Sequence, residues 1–63
     1  MIEKYKIKEG LRVKNIKDNL NYIIKSSKNG IIFNDGKQDW VHVQFEFNTN
    51  FLTIIPLKDL VLC

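Results

Sequence analysis

The stretch Trp40-Val41-His42-Val43-Gln44-Phe45-Glu46-Phe47 alternates without a break. Val41, Val43, Phe45 and Phe47 fall on one side, and Trp40, His42, Gln44 and Glu46 on the other. A period of two sustained over this length predicts a half-buried strand. Asn48-Thr49-Asn50 is a turn signal, and Phe51-Leu52-Thr53-Ile54-Ile55-Pro56 returns as a second apolar run. With Asn48 to Phe51 as the loop, Phe47 faces Leu52 and Phe45 faces Ile54. That register sets apolar against apolar on the inner face and leaves Thr53 and Ile55 beside Trp40, His42 and Gln44 outside. The rest of a short chain has to cover the inner face.

The flanking segments read as more short strands. Lys4-Tyr5-Lys6-Ile7-Lys8 alternates, with Tyr5 and Ile7 on one side and three lysines on the other, like an edge strand guarded by charge. Glu9-Gly10 is a turn, and Leu11 and Val13 point inward from the next strand. Ile16 is out of phase with them, so a bulge or the end of the strand falls near Asn15. Residues 18–29 allow two readings. Asp18 can cap a helix that buries Leu20, Ile23 and Ile24 and stops at Asn29-Gly30. The alternative, an extended excursion with Leu20, Tyr22 and Ile24 on one face and a turn at Ser26 to Asn29, is favoured by the asparagines and the Tyr-Ile-Ile run. Ile31-Ile32-Phe33 is a strand, and Asn34 to Asp39 is a loop around the Asp35-Gly36 turn. Pro56 ends ladder pairing. Leu57-Lys58-Asp59 has room for one 3₁₀ turn before the last strand, Leu60-Val61-Leu62.

Size and composition set the limits. Sixty-three residues make a single domain, 1–63, with one thin core. An apolar content of 44% with 27% charged residues is that of a folded chain rather than a disordered one. The apolar runs are too short to span a membrane, and the N-terminus lacks an apolar leader, so the expected location is cytoplasmic. Cys63 is the one cysteine and makes no internal disulfide. Net charge is +3, unevenly spread. Residues 1–28 hold eight cations against three acids, a net of +5, and residues 29–63 hold two against four, a net of −2. A basic half of this kind suits a polyanion or an acidic protein, or a merely solvated surface. Abundant Ile, Lys and Asn fits an A/T-rich coding sequence, which lowers the weight of each lysine.

Five or six short strands with turn signals about every ten residues, and no confident helix, cannot fill a two-sheet sandwich but can fill a small bent barrel. The order of features resembles a small SH3-like barrel. Gly10-Leu11-Arg12-Val13 matches the opening strand, Gly30-Ile31-Ile32 the strand after a long loop, and Trp40 to Phe45 the central strand. Ile54-Ile55-Pro56-Leu57-Lys58-Asp59-Leu60 matches the closing strand, 3₁₀ turn and last strand. The likeness covers residues 10–62. Tudor-like and KOW-like modules, ribosomal and transcription-factor domains, phage accessory proteins and plasmid-encoded type II dihydrofolate reductases share this barrel. The reductases line a pore with Val-Gln-Ile-Tyr, where this chain has Leu52, Thr53, Ile54 and Ile55. The pore Gln and Tyr are absent, so the resemblance implies the fold and not the activity.

The fold class expected is therefore all-β: a small SH3-like barrel of five to six short antiparallel strands, with a long loop at 18–29 and a 3₁₀ turn near 57–59. Catalysis has little to work with. One His, one terminal Cys and no paired acids supply neither a nucleophile with its base nor a metal-ligand spacing, and no phosphate-binding glycine loop is present. The expectation is a non-enzyme without cofactor or metal. Binding is the better reading. Lys4, Lys6, Lys8, Arg12 and Lys14 form a basic edge for phosphates, and Trp40, beside His42 and Gln44 on the outer face, supplies stacking together with Tyr5 or Tyr22. Trp40 can instead close one end of the barrel. The candidate site residues are Lys4, Lys6, Lys8, Arg12, Lys14, Trp40, His42 and Phe51, and the expected partner is nucleic acid or a nucleoprotein. The alternative is a phage or mobile-element protein that inhibits a host protein or nucleoprotein, such as a CRISPR-type defence nuclease, through Trp40 and Phe51. Edge pairing into a homo-oligomer is a third reading.

Overall fold

A computed structural model describes residues 2–48 and 50–63. A 3₁₀ turn, Lys4–Lys6, precedes β1 (Arg12–Asn15), β2 (Asn21–Ile24), β3 (Ile32–Asn34), β4 (Asp39–Phe45) and β5 (Leu52–Pro56). A second 3₁₀ turn, Leu57–Asp59, leads into β6 (Leu60–Leu62). The domain is all-β, and every pairing is antiparallel within one sheet. The strand order is β3-β4-β2-β1-β6, with β5 also on β4. None of the described helical turns is long and apolar enough to cross a membrane.

Strand β4 is the hub, because its two edges serve different neighbours. Its even residues bond towards β2 and β3: His42 N–H donates to the Ile31 carbonyl at 3.0 Å, and the His42 carbonyl accepts from Lys25 N–H at 3.1 Å. Its odd residues bond towards β5: Phe45 N–H donates to the Phe51 carbonyl at 3.0 Å. Alternation of this kind is the rule in an antiparallel ladder.

Residues 18–29 are extended, and β2 divides the expected long loop in two. Asn15 N–H donates to the Leu20 carbonyl at 3.0 Å and closes a tight hairpin. Asp18 does not cap a helix; its Oδ1 accepts from Leu20 N–H at 2.9 Å, two residues on. Asn19 sits at φ 63°, a left-handed conformation that asparagine tolerates.

One cluster contains Val13, Tyr22, Ile24, Val41, Val43, Ile55, Leu57 and Leu60, all buried. These residues run from β5 at one edge of the sheet through β4, β2 and β1 to β6 at the other. A single sheet can bury one face in this way only by curling on itself, which its natural twist permits. Ile2 and Ile7 complete the cluster.

The N-terminal segment departs from the expected strand over Lys4 to Lys8. Lys6 N–H donates to the Glu3 carbonyl and Ile7 N–H to the Lys4 carbonyl, both at 3.0 Å, giving a 3₁₀ turn. Ile2 and Ile7 are five positions apart, an odd offset, so a strand would send them to opposite faces. The turn brings both into the core and leaves Tyr5 75% exposed.

The hairpin register also differs. Gln44 faces Leu52, Val43 faces Thr53, His42 faces Ile54 and Val41 faces Ile55. The pairing is displaced by three residues from the one expected, and an odd displacement exchanges the faces of β5. Ile55 is buried at 5% exposure, and Ile54 lies outside at 39%. Pro56 explains the choice. In the expected register it would face Val43, whose backbone is turned towards β5 and needs an N–H that proline lacks. In the observed register Pro56 faces Trp40, at a position directed away from β4. Strand β4 consequently stops at Phe45, and Phe47 is 80% exposed.

Candidate binding face

Residues directly opposite in an antiparallel ladder share a face, so the register maps the outer surface. One row runs Arg12, Ile23, Gln44 and Leu52 across β1, β2, β4 and β5. Beside it, Lys14 faces Asn21. On the other side Ile54 faces His42, whose carbonyl holds Lys25 N–H, and then Phe33 and Pro56 flank Trp40. Four of the candidate site residues, Arg12, Lys14, Trp40 and His42, therefore lie on one face, with Lys14 and Trp40 towards opposite ends of it.

Trp40 is half-buried and stands outside the core cluster, on the outer face of the sheet. Its indole Nε1–H donates to Asp35 Oδ2 at 2.9 Å. Asp35 is poised to accept because the Asp-Gly turn fixes it. Its Oδ1 accepts from the backbone N–H groups of Lys37 and Gln38 at 2.8 and 2.9 Å, and Gly36 takes φ +95°, which a side chain would resist. The Trp40 indole, then these two amides, hold the Asp35 carboxyl below the usual carboxylate range.

His42 is tethered at both ring nitrogens. Nδ1 lies 3.2 Å from the Ile31 carbonyl, which can only accept, so this nitrogen carries the proton; Nε2 lies 3.2 Å from Ser27 Oγ. The ring leans on Phe33 with centroids 5.3 Å apart. A cleft of about 180 Å³ opens beside it, with Lys25, Ser26 and Ser27 on one side and Leu52 and Ile54 on the other. Lys25, Ser27, Leu52 and Ile54 were not among the candidate residues. Lys25 was accessible through the alternation that turns Tyr22 and Ile24 inward; Leu52 and Ile54 depended on the hairpin register.

The remaining candidates lie elsewhere. Lys4 pairs with Asp39 at 2.9 Å and Lys6 with Glu3 at 3.4 Å, and Lys8 is exposed beyond the turn. The expected row of three lysines does not form, because a 3₁₀ turn disperses what a strand would align. Lys4, followed by the Asn34 amide, holds the Asp39 carboxyl below its ordinary range. Arg12 keeps its place on the outer face but pairs with Glu46. Phe51 lies at the mouth of the curled sheet, edge-on to Phe45 at 6.3 Å. There it joins Leu20, Tyr22 and Asn48 around a hollow of about 280 Å³. Tyr22 Oη–H donates to Asp18 Oδ2 at 2.6 Å, and burial first, then this bond, pushes its phenol up to about 12.

Among the described residues no three His, Cys, Asp or Glu side chains are placed to hold a metal ion. No protein-family model matches the chain, and neither a curated protein nor a solved structure does. What the geometry itself defines is a small all-β domain presenting a sheet face of cations and tethered aromatic rings, with Gln44 buried beneath them.

Proposed function

We propose that the chain is a non-catalytic binding module of the SH3-like barrel type, and that its outer sheet face binds nucleic acid, free or within a nucleoprotein. The meander of β3, β4 and β5, followed by a 3₁₀ turn and a last strand returning to β1, supports the barrel assignment. The observation that carries the function is the register. It sets Lys14 and Lys25 on one face with Trp40, His42 and Phe33, beside Arg12, which is paired with Glu46. Lysines supply affinity for phosphates, and ring faces accept bases by stacking. The site moves from the N-terminal edge to the sheet, since Lys4 and Lys6 are spent on carboxylates.

Fluorescence anisotropy with a labelled mixed-sequence single strand tests this. Affinity should fall steeply with salt, and Lys14→Glu with Lys25→Glu should abolish measurable binding at moderate salt. Replacing two phosphate contacts should also flatten the salt slope by about 1.4. Binding that ignores salt, or survives both substitutions, would overturn the reading. A second reading, a mobile-element protein that inhibits a host nucleoprotein by protein contact, draws on the exposed Phe47 and Phe51 at the sheet mouth. It is favoured if a partner protein is held at high salt and lost on Phe51→Ala.

A further inference from the structure

Strand β5 has one partner strand, β4. Its odd residues turn their backbone groups to β4, as the Phe45–Phe51 bond shows. Leu52 and Ile54 therefore direct N–H and C=O outward, and no strand among the described residues takes them. Natural edge strands are usually guarded by lysines, inward charges or bulges. This one carries no charge. From Phe47 to Leu57 the chain has no ionisable residue at all, although 27% of its residues are charged. Leu52 is 68% exposed and Ile54 39%.

We propose that β5 pairs with β5 of a second copy of this chain, antiparallel about a two-fold axis at Thr53. In that register Leu52 meets the second copy's Ile54, and symmetry repeats the pair. Each pair exchanges both backbone hydrogen bonds, because both residues face the edge. Leu52 and Ile54 lie on the same outer face, so the pairing also sets exposed apolar side chains against one another. A second copy fits this edge because the register is self-complementary, Leu52 to Ile54 and Ile54 to Leu52, and because no ionisable residue from Phe47 to Leu57 sets like charge against like across the two-fold axis. Pro56 limits the ladder. The next outward position beyond Ile54 is Pro56, opposite Asn50 of the second copy, and it has no N–H to give. A two-fold contact uses the β5 edge once per chain and closes as a dimer, not a filament. The outer faces of the two copies then become one continuous surface.

The proposal stands apart from the nucleic-acid reading, and its test contains no nucleic acid. The experiment is sedimentation equilibrium from about 1 μM to about 1 mM, since a contact this short is of the weak, small-interface kind. Residue-resolved amide hydrogen exchange is measured on the same samples. The expected mass rises towards twice the 7.4 kDa of one chain. The Leu52 and Ile54 amides become protected as concentration rises, whereas the Thr53 amide, directed to β4, is protected throughout. Ile54→Lys should remain folded and stay at 7.4 kDa, with Leu52→Lys as the second variant should the first lose its structure. A chain that stays monomeric with freely exchanging Leu52 and Ile54 amides overturns the proposal. So does a dimer that leaves those amides unprotected, or a mass that climbs past two copies.

Discussion

Asp35 ties the Asp-Gly turn to the outer sheet face. One carboxylate oxygen closes the turn through the Lys37 and Gln38 amides while the other holds the Trp40 indole. Its folded-state pKa is depressed, as is that of Asp39 beside Lys4. A depressed carboxyl stabilises the fold above the ordinary carboxylate range, and that contribution is lost as pH falls through the folded value. The chain should therefore lose urea resistance as pH falls from the ordinary carboxylate range through the lower folded values. Asp35→Asn with Asp39→Asn should lose less over the same interval. Both groups are solvent-accessible, so salt should shrink the difference. Asp35→Asn should also speed exchange of the Trp40 indole proton, read by NMR, because the amide offers the ring its donor side or a weaker acceptor. The Asp-Gly turn was visible in the sequence; its hold on Trp40 was not, since a side chain five residues away is brought round only by the β3–β4 hairpin.

Among the elements, β5 separates what a pattern can say from what it cannot. Its strand character and its termination at Pro56 follow from β-branched residues and proline. Its facing does not follow, because Leu52, Ile54 and Ile55 are all apolar and a period of two gives no preference. The decision comes from backbone hydrogen bonding at Val43, which excludes Pro56. A pair of substitutions checks it. Ile55→Lys would bury an ammonium opposite Val41 and should cost several kcal/mol, enough to unfold the domain. Ile54→Lys should change stability by less than about 1 kcal/mol, within the range of surface replacements. Circular dichroism with urea titration distinguishes them, and equal effects would mean the register is wrong. The 3₁₀ turn at Lys4–Lys6 makes the same point: lysines at alternate positions satisfy a strand pattern, but burial of both Ile2 and Ile7 requires a different local geometry.

At the scale of the whole molecule, a core of about a dozen side chains leaves little reserve, since domains of this size rarely exceed about 3–5 kcal/mol of stability. Ile24, fully buried where β2 meets both β1 and β4, joins the two halves of the curled sheet. Ile24→Ala should cost about 2–5 kcal/mol and leave the chain largely unfolded at room temperature, as measured by loss of the cooperative urea transition. The sequence alone determined a fold of short strands, placed β1, β3, β4, β5 and β6 to within a few residues, and set a 3₁₀ turn before the last strand; β2 fell inside the expected loop at 18–29, and the strand expected at 4–8 is a turn. The correct placements depend on alternation, turn residues and proline, which act over a few residues and are written locally. Only the tertiary structure decided the β5 register, the turn at the N-terminus and which cations stand free on the sheet. Those depend on pairings between segments distant in sequence, where a backbone group, a carboxylate or a core vacancy selects among patterns that are locally equivalent.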